Sequence, residues 1–130
     1  MYKQKPIDAY KSVDKVTMSG RDVEAEVLTK ATIKLKACQD NWDIDEQERD
    51  SGLKQALDYN QRIWTIFQGE LASEDNPLPV EIRRGLLRLS AFIDKRTLEL
   101  TAFPEKDKLN ILIAINQNIA AGLRQTPSSP

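Results

Sequence analysis

The sequence predicts an all-α fold: an antiparallel helical bundle of about four helices, preceded by an N-terminal arm or short helix. Three observations carry that expectation. Apolar residues recur at three- and four-residue spacing over long stretches, which is the period of a helix face. No β-branched run alternates with polar residues between turn pairs. Prolines at 77, 79 and 104 divide the periodic stretches, leaving short connections that force neighbouring helices to run antiparallel.

Residues 1–18 are mixed. Ile7, Tyr10, Val13 and Val16 recur at helical spacing after Pro6, a good first helical position, so a short helix or a docked arm anchored by Tyr10 is expected. Ser19-Gly20-Arg21-Asp22 looks like a helix start, with Ser19 as the N-cap. Val23, Val27, Leu28, Ala31, Leu35 and Cys38 then mark one face, and the helix is expected to fade over residues 39–41.

Residues 40–50 hold six acids and one arginine, well placed to open a second helix near Asp45. Its face is Leu53, Ala56, Leu57, Asn60, Ile63, Trp64, Phe67 and Leu71. Residues 73–79 form the clearest break, because two prolines spaced by one residue cannot lie inside a helix. A third helix follows from Pro79, with Ile82, Leu86, Leu89, Ile93, Arg96, Leu100 and Phe103 as a heptad-like stripe. Leu109, Leu112, Ile113, Asn116, Ile119, Ala120 and Leu123 line a fourth. Residues 1–125 are expected to form one domain, and the polar, Pro-rich residues 126–130 a disordered tail.

Composition narrows the function. The net charge is −1, so nucleic acid or an anionic membrane would need a local basic patch. Histidine is absent, which removes the commonest general base and the commonest transition-metal ligand. The single cysteine, Cys38, permits neither an internal disulfide nor a Cys-rich zinc site. No Gly-rich phosphate loop or nucleophile elbow is present. The acidic run at 40–50 lacks the central glycine of an EF-hand loop. A non-enzymatic protein with no cofactor and no metal is expected. No apolar leader follows Met1, and the apolar stretch 111–115 is too short to span a bilayer, so the expected location is the cytoplasm.

The candidates for partner binding are Trp64, Phe67, Arg84, Arg88, Asn116, Asn118 and Ala120. Trp64 and Phe67 lie one turn apart, and either core packing or a partner interface uses such aromatics. Trp42, amid the acids, covers the bundle end or anchors a partner. Arg84 and Arg88 share a face of the third helix, close to Arg83 and followed by Lys95 and Arg96. They form a solvated face or an electrostatic patch for an acidic partner or RNA. Asn116 falls on the predicted core stripe of the fourth helix, where a buried amide needs a partner. Ala120, Ala121 and Gly122 leave little bulk, which suits a close helix of this chain or of another protein.

The order of several segments is similar to the alphaproteobacterial flagellar protein family FlaF. Ile63-Trp64-Thr65 resembles its Ile/Leu-Trp-Thr segment, and Leu71-Ala72 followed by Asn76-Pro77-Leu78-Pro79 resembles its Leu-Ala to Asn-x-Leu-Pro passage. Glu81 and Arg83 match an acid and an arginine that follow. Residues 115–123 resemble an Ile-Asn-x-Asn-Ile-Ala-x-Gly-Leu segment, and Arg21 to Ala25, with Tyr10 upstream, resembles an Arg-x-x-Glu-Ala start. The resemblance implies a role in flagellum assembly. It implies flagellin as the partner, held before export by a cytoplasmic chaperone or adaptor that also promotes flagellin synthesis. The translational repressor FlbT, which works in the opposite direction, is a second candidate partner. A post-transcriptional regulator binding flagellin messenger RNA is the alternative, and the net charge of −1 argues against it.

Overall fold

A computed structural model describes the backbone of residues 6–125, and the side chains from Gly20 to Gln125. The expected tail at 126–130 and the Tyr10 anchor lie outside what is described. Four α-helices account for the fold: α1 (Pro6–Asp40), α2 (Glu46–Ala72), α3 (Val80–Ala102) and α4 (Leu109–Gln125). A single 3-10 turn, Lys106–Lys108, leads into α4.

The helix starts follow local chemistry. Asp45 caps α2, its carboxylate accepting from the Glu48 amide at 3.2 Å, while Glu46 and Glu48 place negative charge at the positive helix end. Pro79 occupies the N-cap of α3. The first helix departs from expectation: no new helix begins at Ser19, because α1 runs unbroken from Pro6. Pro6 suits a first helical position, whereas Ser19-Gly20 carries no proline, and a glycine inside a helix costs only about 1 kcal/mol.

Cross-helix contacts fix the directions. Gln39 Nε2 donates to Asn110 Oδ1 at 2.6 Å, and Arg124 Nη2 donates to Thr29 Oγ1 at 2.9 Å, so α1 and α4 are antiparallel. Lys34 sits 5.0 Å from the centre of the Tyr59 ring, and Glu24 faces Glu70, so α1 and α2 are antiparallel as well. Gln68 reaches Ser90 and Asp94, and Gln61 reaches Asp94, along the α2–α3 seam. The close helix pairs are α1–α4, α1–α2 and α2–α3, and α3 approaches α4 far less closely.

The core joins all four helices: Ala25, Leu28, Ala31 and Leu35 from α1, Leu53, Leu57 and Trp64 from α2, Ile93 and Leu100 from α3, Leu109 and Leu112 from α4. The predicted α3 stripe overruns this core at both ends. Ile93 and Leu100 are fully buried, but Ile82 is 50% exposed and Phe103 75% exposed. Ser90 and Thr97 are buried instead. α3 packs closely on α2 alone, so its buried strip is narrower than its apolar stripe.

Candidate functional site: an apolar groove at the open end of the bundle

The two ends of the bundle differ. The end carrying the α1–α2 loop is closed. Trp42 packs half-buried on the core with the Arg49 guanidinium 4.7 Å from its ring centre. Gln39 Nε2 also donates to the Lys106 carbonyl at 3.1 Å, and Arg96 Nη1 donates to the Lys108 carbonyl at 3.3 Å. The opposite end opens into a groove of about 880 Å³.

The floor of the groove is α2, where Trp64, Phe67 and Leu71 follow at helical spacing. One wall is Ile82 and Leu86 from the first turns of α3, and the other is Asn118, Ile119, Gly122 and Leu123 from the last turns of α4. Leu78 and the α2–α3 connection close one side, and Gly20, Arg21 and Glu24 of α1 close the other. The groove exists because α3 and α4 do not close on one another at this end.

Its floor is held rigidly. Trp64 is 1% exposed, and its indole Nε1 donates to Asn116 Oδ1 at 3.0 Å. Asn116 Nδ2 in turn donates to Asn60 Oδ1 at 2.7 Å. This buried chain ties α2 to α4, and a one-residue slip of either helix would leave buried polar groups unpaired. Asn60 Nδ2 is buried without an acceptor. Phe67 meets Trp64 edge to face, ring centres 5.5 Å apart.

The wall at α3 is held by Arg83, whose Nη1 donates to the carbonyls of Ser73 at 2.9 Å and Leu71 at 3.5 Å, beyond the C-terminal end of α2 and within its last turn. Asn76 folds the connection: its Nδ2 donates to the Glu70 carbonyl at 2.9 Å, and its Oδ1 accepts from the Leu78 amide at 3.0 Å.

The charged groups on the groove are Arg21, Glu24, Glu70 and Asp75, an acidic balance. Burial pushes the Glu24 carboxyl above its usual range. The charge of Glu70 and a hydrogen bond with it push in the same direction, and Arg21 pulls back. Burial also pushes the Cys38 thiol above its usual range, away from thiolate character. Among the described residues no group of His, Cys, Asp or Glu is placed to hold a metal ion.

The structure brings together three of the seven candidate residues, Trp64, Phe67 and Asn118, on the groove. Asn116 lies behind it, bonded to Trp64. Ala120 is 2% exposed within the core. Arg84 and Arg88 are exposed on α3 away from the groove. Sequence reasoning missed Glu24 and Glu70, whose pairing across two helices has no local signature. Ile82 and Leu86 read in the sequence only as part of a heptad-like stripe, which does not reveal that its first turns border a groove.

The described residues form an all-α bundle with an aromatic-floored groove at one end. The family follows from comparison. Residues 6–123 match the family model of the flagellar protein FlaF, and the chain belongs to that family. No curated protein and no solved structure matches it. Among the described residues no helix is long and apolar enough to cross a membrane.

Proposed function

We propose that this flagellar protein is a cytoplasmic chaperone or adaptor that holds flagellin in the open groove, and through that complex promotes flagellin synthesis and export. The observation that carries the reading is the groove itself, an apolar surface on a rigid floor, in a chain of the FlaF family. Flagellin is the partner that the family resemblance implies, and FlbT is the second candidate. The role is binding rather than catalysis. The chain has no histidine, burial raises the pKa of its one thiol, and the buried Trp64 and Asn116 are bonded to one another.

Mixed at tens of micromolar and passed over a sizing column, this protein and purified flagellin are expected to elute as one complex. Separate elution of the two would sink the proposal.

The alternative, binding of flagellin messenger RNA, is favoured by one observation: Arg84 and Arg88 are exposed together on α3. Phosphate contacts there would weaken steeply as salt rises. Absence of binding to the message at low salt removes this alternative.

A further inference from the structure

We infer that the groove takes an amphipathic α-helix bearing one lysine or arginine within its apolar face, with that cation seated at the Glu24–Glu70 pair. The inference rests on the groove being the partner site proposed above, and it names the chemistry of the occupant.

The helical form follows from the walls. Apart from the α2–α3 connection and the terminal turns of α3 and α4, the walls are helices whose backbone groups are bonded internally, and no strand edge occurs among the described residues. An extended segment would therefore enter an apolar groove with its own amides unpaired, at the cost of burying unsatisfied polar groups. A helix satisfies its backbone within itself and offers side chains at i, i+3, i+4 and i+7. It would supply the neighbour that α3 and α4 lack at this end among the described residues. A helix as long as α4, 17 residues, more than covers the floor from Trp64 to Leu71, which is roughly two turns.

The cation follows from the charges. Glu24 of α1 and Glu70 of α2 face one another on the groove, Asp75 adds a third acid, and Arg21 is the one base among the lining residues. A wholly apolar occupant would take this carboxyl pair out of water with Arg21 as the one lining cation against three acids, which is costly. A lysine or arginine placed against it neutralises the pair and adds charge-assisted hydrogen bonds. Ile82, Leu86, Ile119 and Leu123 receive the apolar side chains on either side.

Two labelled peptides of about 17 residues test this. Both carry leucines at helical spacing; one has lysine at the centre of the apolar face, the other norleucine there. Fluorescence anisotropy with the full chain is expected to show the lysine peptide binding about tenfold tighter. The double substitution Glu24→Gln with Glu70→Gln is expected to abolish that preference while leaving norleucine-peptide binding intact. Circular dichroism reports whether this variant keeps its helices, and Glu70→Lys serves as a second variant that should reverse the preference. Equal binding of the two peptides, or binding of neither, overturns the inference. Lysine-peptide binding that appears only after residues 1–18 are removed, or only when the chain self-associates, also overturns it, since the groove then belongs to this chain. Flagellin that co-elutes while the peptides are not distinguished leaves the proposed function standing and refutes the cation. A selected lysine peptide with no flagellin complex does the reverse.

Discussion

The side chain on which the groove's floor depends is Asn116. Its amide accepts from Trp64 and donates to Asn60, all three buried. Removing it leaves an indole N–H and a carbonyl oxygen unpaired and opens a void. Asn116→Ala is therefore expected to lower stability by about 2–4 kcal/mol, combining unsatisfied groups with cavity cost. Trp64→Phe, which keeps most of the bulk, should cost less, about 1–3 kcal/mol. Urea unfolding measures both, and a loss under ~0.5 kcal/mol for Asn116→Ala would show that the network does not hold α2 to α4.

Glu24 makes a prediction about pH at the same scale. Burial first, then Glu70, raises its pKa above the ordinary 4.5. Between 4.5 and the raised value the folded chain binds more protons at this site than the unfolded chain, so its contribution falls as pH rises. Above that window the ionised group is a constant penalty. Glu24→Gln is expected to be more stable than the parent at neutral pH, with the difference shrinking as pH falls toward 4.5. Thermal melts across that range check the sign; a difference that grows on acidification would contradict it.

At the scale of the helices, three neighbouring arginines of α3 prove different in kind. Arg83 caps carbonyls at the end of α2, whereas Arg84 and Arg88 are exposed. Arg83→Ala is expected to cost about 1 kcal/mol, and Arg84→Ala no more than about 0.5 kcal/mol. Equal losses in urea unfolding would show that the Arg83 contacts do not pin α3. In the sequence these residues formed a single basic side. Nothing in their spacing distinguishes a cap from a solvated charge, because the carbonyls that Arg83 meets lie beyond a connection of irregular backbone.

The helices themselves were legible where one face meets one core. Asp45 as the start of α2, the break at residues 73–79 and the buried stripe of α4 with Asn116 all follow from period and capping. The continuity of α1 through Ser19 was not legible, since cap-forming residues also sit inside helices when no proline stops the turn. Nor was the exposure of Ile82 and Phe103, because α3 packs closely on α2 alone and a stripe does not show how many helices cover it.

For the whole molecule, the asymmetry of the bundle is the main result. One end is closed by Trp42, Gln39 and Arg96. The other leaves α3 and α4 apart over a floor set by Trp64 and Asn116. The sequence pointed to Trp64, Phe67 and Asn118, all on the groove, but a groove is a relation among four helices and has no pattern along one of them. The flagellar role rests on membership of the FlaF family, and the groove is the place on the molecule proposed for it.

Amide hydrogen exchange of this protein, with and without flagellin, tests that assignment most directly. Flagellin is expected to slow exchange in the first turns of α3 around Ile82 and Leu86 and in the last turns of α4 around Ile119 and Leu123, leaving the Trp42 end unchanged. Protection confined to the Trp42 end, or no protection at saturating flagellin, would contradict it.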